Sequence, residues 1–231
     1  IVVNNRENSR PTSPQIISQD IIYSEDNISN LEARYIEHKQ IDNTEEYLVK
    51  YNIIINLQDN RNIYAIAGNQ NYGLFIPQCH NPSKESGLNL PDIGGISQTL
   101  LNDDLQYDSW LTIGITDGIV NSILERAPDT LLDNFGNSDI QINDGSIFYM
   151  NPFEGVTGEV ILAQLVFRVN PNNPTINKSF KALLQGHKQD DLQSDDRPFS
   201  WQQYIEIDIP EVNIDVGNNT VTTTSLSIIE R

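Results

Sequence analysis

Cysteine is almost absent: Cys79 stands alone in 231 residues, which excludes an internal disulfide framework and any cysteine metal cluster. The remaining uses of that thiol are a small apolar core residue, an intermolecular disulfide or a reactive group. Positive charge is scarce as well. Lys and Arg number 14 against 32 Asp and Glu, a formal net charge of -18, so phosphate backbones are repelled and nucleic-acid binding is disfavoured. Such a surface suits a high-salt medium such as seawater, where the screening length falls to ~3 Å at 1 M and self-repulsion is largely cancelled. No apolar run approaches the ~18 residues that would span a membrane, so membrane insertion is not expected. The sequence begins at Ile1 without a signal-like segment, as a processed chain would. Catalytic motifs are missing too: there is no Gly-rich phosphate loop, nucleophile elbow or zinc His-Glu motif, and His38, His80 and His187 stand far apart.

What is present is alternation. In 46–57, Tyr47, Val49, Tyr51, Ile53 and Ile55 alternate with Leu48, Lys50, Asn52 and Ile54, giving one consistently apolar face as in a core strand. Residues 58–62 read as a turn and 63–68 as the returning strand of a hairpin. The keystone is 107–118, where Ser109, Leu111, Ile113 and Ile115 share one face and Trp110, Thr112 and Gly114 the other before Asp117-Gly118 turns the chain. Tyr107, Trp110, Ile113 and Gly114 are the expected structural core there. Further strands are expected over 31–40, 146–150, 158–169, 180–185 and 201–209, with Pro171 and Pro174 ending the third of these. Segment 119–132 fits a short helix or a strand and loop. These readings give an all-β fold, an antiparallel β-sandwich of jelly-roll or Ig-like type over 31–210.

The flanks differ from this core. Residues 1–30 are polar, with Pro11 and Pro14 and two apolar patches, Ile16-Ile17 and Ile21-Ile22-Tyr23, and read as an extended arm that is either disordered or adds a strand to a neighbouring sheet. Residues 211–231 alternate around Gly217-Asn218-Asn219 and read as a second arm or a terminal hairpin. Residues 69–106 form a long connection in which Gln78, Cys79, His80 and Asn81 cluster, with a solvated His80 the plain expectation.

Ligand chemistry is thin. Oxygen ligands are dense around Asp133, Asn137, Asp139 and Asp144, the calcium candidates, yet an EF-hand counted from Asp133 puts Phe135 at the third position and Ser138 at the sixth. Turn geometry alone explains so many Asn and Asp. The acidic loop at Asp190, Asp191, Asp195 and Asp196 reads as solvated. Trp201 is the candidate platform for stacking on a sugar ring, against a core role in its strand. Glycoside hydrolysis by two carboxylates is the one enzymatic reading available, and the sequence does not place the pair. Asn27-Ile28-Ser29, Asn177-Lys178-Ser179 and Asn218-Asn219-Thr220 fit the N-glycosylation pattern.

Several segments in collinear order carry a resemblance: Glu-Tyr-Leu-Val-Lys-Tyr at 46–51, Asn-Ile-Tyr-Ala-Ile-Ala-Gly at 62–68 and Tyr-Asp-Ser-Trp-Leu-Thr-Ile-Gly at 107–114. They continue with Asn-Asp-Gly-Ser-Ile-Phe-Tyr-Met-Asn-Pro at 143–152, Gly-Glu-Val-Ile-Leu-Ala-Gln-Leu at 158–165, Leu-Gln-Gly at 184–186 and Trp-Gln at 201–202. Over roughly 46–209 the chain resembles a β-domain, often repeated, of secreted and surface proteins of marine algae and planctomycete bacteria and of large algal viruses. The resemblance implies an extracellular, cell-surface or virion-surface module of sandwich architecture and carries over no catalytic or ligand residue. Together with the arms it leads to the expectation of a non-enzymatic structural protein that assembles through β-edges with other copies of itself or other coat or filament subunits. A carbohydrate-binding or adhesion module is the alternative. No cofactor is required, with calcium the one candidate ion.

Overall fold

The alternation of 47–57 becomes β2 (Tyr47–Leu57) of a computed structural model that describes residues 27–87, 90, 92–172, 178–188, 201–215 and 220–223. Tyr47, Val49, Tyr51, Ile53 and Ile55 enter the main core, while Leu48 on the opposite face joins Tyr107 and Val166 in a smaller cluster. β2 is flanked by β1 (Ile28–Gln40) and by β9 (Glu159–Val169), and β9 is flanked in turn by the short β5 (Trp110–Leu111). All three pairings are antiparallel.

The second sheet packs across that core. Its centre is β10 (Ser179–Gly186), paired along its whole length with β11 (Trp201–Asp208). The other edge of β10 receives two short strands, β3 (Ala65–Gly68) and β4 (Leu74–Ile76). These pair with β8 (Gly145–Tyr149) and β7 (Ile140–Ile142) respectively, and β6 (Leu124–Ala127) closes the edge beyond β8. Two long strands, each broken in the middle, therefore run side by side. At the break a Cβ on Gly68 would lie 2.1 Å from the Ile142 carbonyl oxygen, so only glycine permits that approach. The two antiparallel sheets make an all-β sandwich.

The expected hairpin from β2 into 63–68 does not form. Residues 58–64 carry the chain across the sandwich, and β3 lies in the sheet opposite β2. The crossing is held by backbone: Asn62 N–H donates to the His187 carbonyl at 3.0 Å, and Ile63 pairs with Val156. A Cβ on Gly186 would sit 1.9 Å from the Asn62 carbonyl oxygen, which explains the glycine at the end of β10.

The keystone is shorter than expected. Regular pairing covers Trp110 and Leu111, after which the Thr112 and Gly114 amides still donate to Leu162 and Ile161 of β9. Leu111 and Ile113 face the main core, whereas Trp110 packs with Ile96 and Leu105 on the other side. Tyr107, Trp110 and Ile113 are buried; Gly114 is not. Gly114 serves instead as a turn residue at φ 78°, a left-handed backbone that glycine adopts without strain. Asp117 and Gly118 meet Gly94 and Gly95 of the long connection rather than closing a hairpin.

Segment 119–132 resolves into β6 and a single 3-10 turn at Asp129–Leu132. After β11, Val212–Asp215 (β12) and Thr220–Thr223 (β13) form a hairpin. Val212 is 0 % exposed within the main core, and the Tyr51 hydroxyl donates to the Pro210 carbonyl at 2.8 Å. The expected boundary at 210 thus falls inside the packed unit. The apolar patches of the N-terminal arm, Ile16, Ile17, Ile21, Ile22 and Tyr23, lie outside the described residues.

Truncating Trp110 to Ala is expected to cost ~3–5 kcal/mol, the range for a core aromatic. Urea melts with an unchanged midpoint would reject its place in the packing.

Candidate functional site

Three places could carry chemistry, and the first is a buried polar hub. Asn81 caps the one-turn helix α1 (Pro82–Glu85): its Oδ1 accepts from the Lys84 amide at 3.1 Å and from the Ser83 hydroxyl at 2.8 Å. Its Nδ2 donates to Asp92 Oδ1 at 3.0 Å, and Lys84 Nζ reaches Asp92 Oδ2 at 2.8 Å and the Leu132 carbonyl at 2.7 Å. Every oxygen of Asp92 is thereby paired, which is the condition for keeping a carboxylate inside. Asp108, next to Ser83, is buried as well, and burial raises its carboxyl to about 6 despite the hydrogen bonds from Ser83. The hub fastens the long connection to the core.

The second place is a shallow cleft of about 290 Å³ lined by His80, Glu85, Arg168 and Lys178 among others. The expected solvated histidine is not found: the His80 side chain is 8 % exposed. Its Nδ1 lies 3.3 Å from Glu85 Oε1 without hydrogen-bond alignment. Burial lowers its pKa, with Glu85 opposing, so neutral imidazole is favoured. Neighbouring Cys79 is buried, and burial pushes its thiol up to about 12. A thiol so rarely ionised is a poor nucleophile.

The third place is a cleft of about 400 Å³ where the chain crosses between sheets, lined by Gln58, Asp59, Asn60, Arg61, Phe153 and Thr157 among others. Phe153 and His187 line it and stack at 5.3 Å and 15°, and Tyr64 stacks on His187 at 4.9 Å. Phe153, the outermost ring, is 44 % exposed. Among the described residues lining each of these two clefts there is a single carboxylate, Glu85 or Asp59, whereas glycoside hydrolysis by the usual route takes two.

Among the sequence candidates, Trp201 is 5 % exposed and its indole Nε1 donates to the His187 carbonyl at 3.3 Å. An indole so enclosed presents no face to a sugar. It lies against Gly186 and ties the His187 backbone instead. Asp133, Asn137, Asp139 and Asp144 are exposed but do not converge, and among the described residues no three His, Cys, Asp or Glu side chains are placed to hold a metal. Asp139 accepts from the Gln78 amide at 2.6 Å, and the Asn137 carbonyl accepts from Gln78 Nε2 at 3.0 Å. Those two anchor the long connection. Asn27 is 1 % exposed and accepts from Arg61 Nε at 3.0 Å, leaving no room for a glycan on the folded domain. Asn177, Asn218, Asn219 and the acidic loop 190–196 lie outside the described residues. Phe153 is not legible in the sequence, because a lone Phe after proline in a turn carries no periodic signal.

A carboxyl raised in the folded state binds protons that the unfolded chain releases, so Asp108 stabilises relatively more as pH falls from about 6 toward 4 and burdens the fold above that window. Asp108→Asn is expected to remove this contribution and raise stability at pH 7, by about 1–3 kcal/mol. Paired urea titrations at pH 4.5 and 7 check it; an equal stability difference between variant and parent at both values would refute the assignment. The chain matches no family model, and neither curated proteins nor solved structures give a significant match.

Proposed function

We propose that this protein is a non-enzymatic structural subunit, exposed outside a cell or on a virus particle, that assembles through its sheet edges. One observation carries the reading. β1, 13 residues long, pairs with β2 on one side and with no described strand on the other. Backbone donors and acceptors along such an edge are a template for another strand. Its side chains keep indiscriminate pairing in check, since Glu32, Arg34, Glu37 and Lys39 punctuate it. The resemblance to surface modules and the net charge of -18 fit an extracellular, salt-screened setting. Hydrogen exchange at rising protein concentration tests it. The amides of 28–40 are expected to gain protection as copies associate, while protection that stays constant with concentration would count against edge assembly.

A second reading, carbohydrate binding, is favoured by Phe153 in the 400 Å³ cleft. A fixed, half-exposed ring beside amide, hydroxyl, Asp59 and Arg61 groups offers an apolar platform and hydrogen bonds within one small-molecule-sized cleft. Titration of the amide spectrum with methyl glucoside and cellobiose is expected to move Asn60, Arg61 and Thr157 in the parent and not in Phe153→Ala. Sugars that leave those signals in place remove the reading.

A further inference from the structure

We infer that β1 pairs antiparallel with β1 of a second copy, about a two-fold axis at its central bulge, so that Glu32 faces the partner's Lys39 and Arg34 faces the partner's Glu37. The inference rests on the edge-assembly reading and names the partner and register of that edge.

The argument begins with the register inside one copy. Glu32, Arg34, Glu37 and Lys39 lie opposite Ile54, Asn52, Lys50 and Leu48 of β2. Those β2 residues alternate with the core-facing Tyr47, Val49, Tyr51, Ile53 and Ile55, so all four charges stand on the outer face of the sheet. They could not do so in a regular strand, because 32 and 34 differ in parity from 37 and 39. The register shift between Tyr35 and Glu37 is what reconciles them: one extra residue returns Glu37 and Lys39 to the face of Glu32 and Arg34. Along that face the signs run minus, plus, minus, plus.

A sequence of alternating signs is self-complementary when reversed. Antiparallel pairing centred on the bulge places opposite charges in all four outer positions. On the inner face the same register sets Leu31 against the partner's Gln40 and Ala33 against the partner's His38. Both strands carry their extra residue at the axis, so neither is bulged relative to the other. Slipping by two residues would face Arg34 with the partner's Lys39, or Glu32 with the partner's Glu37, and like charges directly opposite are destabilising. Slipping by one would turn inner residues against outer ones. One register therefore satisfies both charge and face. The interface is isologous, as a two-fold dimer requires, and joins two four-stranded sheets into one of eight.

The existing ion pairs do not compete for this geometry. Arg34 bridges Glu32 and, at 3.0 Å, Glu159, while Glu37 meets Lys50. The Arg34 contacts are exposed and easily shared with a second partner; Lys50 is buried, but the Glu37 carboxylate it meets is still 45 % exposed and keeps an open side toward the edge. Among the described residues Lys39 makes a long 3.4 Å hydrogen bond to the Asp103 carbonyl.

Charge reversal at the outer pair decides the matter. Sedimentation equilibrium at about 0.15 M salt, where screening reaches ~8 Å, is expected to show a dimer for the parent chain. Lys39→Glu and Glu32→Lys are each expected to weaken association about tenfold or more, since each places like charges together twice. The double variant E32K/K39E restores the opposite pairing in both symmetric contacts and is expected to recover dimerisation, an outcome that misfolding of either single variant could not produce. A parent chain that stays monomeric overturns the inference and edge assembly with it. Association that persists unchanged in both single variants, or that the double variant fails to recover, overturns the register while leaving edge assembly in place.

Discussion

The contact on which most of the irregular structure depends is the one between Asn81, Lys84 and Asp92. Sheets hold themselves together by continuous backbone pairing, whereas the described part of the connection between β4 and β5 is tied by isolated bridges, Ile93 to Leu111 and Gly95 to Asp117, and by side chains. Asn81 cannot satisfy a helix cap, a serine hydroxyl and a buried carboxylate at once unless all three are brought to it. Lys84 then neutralises Asp92 and reaches the carbonyls of Leu132 and Phe135, tying in a segment from the far side of the chain. Removing one member would strand a buried charge, which is far costlier than losing an exposed pair. Gly136 approaches so closely that a Cβ would stand 2.6 Å from that of Asn81.

The same connection completes the first sheet. β9 is longer than β5, and beyond Trp110 its free backbone is met by substitutes: the Val166 amide donates to the Ser109 hydroxyl at 3.0 Å, and the Val166 carbonyl accepts from the His80 amide at 2.7 Å. The Gln164 side chain adds a tie from β9 to the loop, donating to the Asp108 carbonyl at 2.7 Å. One edge of the sheet is thus covered by loop, as buried backbone requires, and the long outer edge of β1 is the one where no described strand does the same. That asymmetry is what makes assembly through β1 a physical proposal.

Much of this fold could be read from alternation. β2, β9, β10 and β11 fall where the strand pattern puts them. What could not be read was partnership. The 58–62 turn looked like a hairpin because hairpins and sheet crossings use the same turn residues; the choice was made by Gly186 and Val156, remote in sequence. Gly114 seemed part of a buried strand because glycine fits any face of a pattern. Trp201 and Phe153 show why the site was hardest: exposure of an aromatic residue depends on what lies over it, and nothing local distinguishes an indole buried on the His187 backbone from the phenyl ring that ends the stack.

β2 and β9 form the central pairing of the first sheet, and their ends bring Tyr47 to Val169. More than a hundred residues of chain must be gathered before that ladder can close. Loop closure of this length gives no reward until the sheets dock, so folding belongs to the slow, milliseconds-to-seconds regime of all-β domains. During synthesis β2 leaves the ribosome well ahead of its partner, with Ile53, Ile54 and Ile55 in a row and no strand yet available on that side. Until β9 arrives, β1 is the natural guardian of that apolar ribbon: a neighbour in sequence, charged, and able to pair along almost its entire length. The strand that faces outward in the finished molecule would then be the one that shields its most aggregation-prone segment while the molecule is being made.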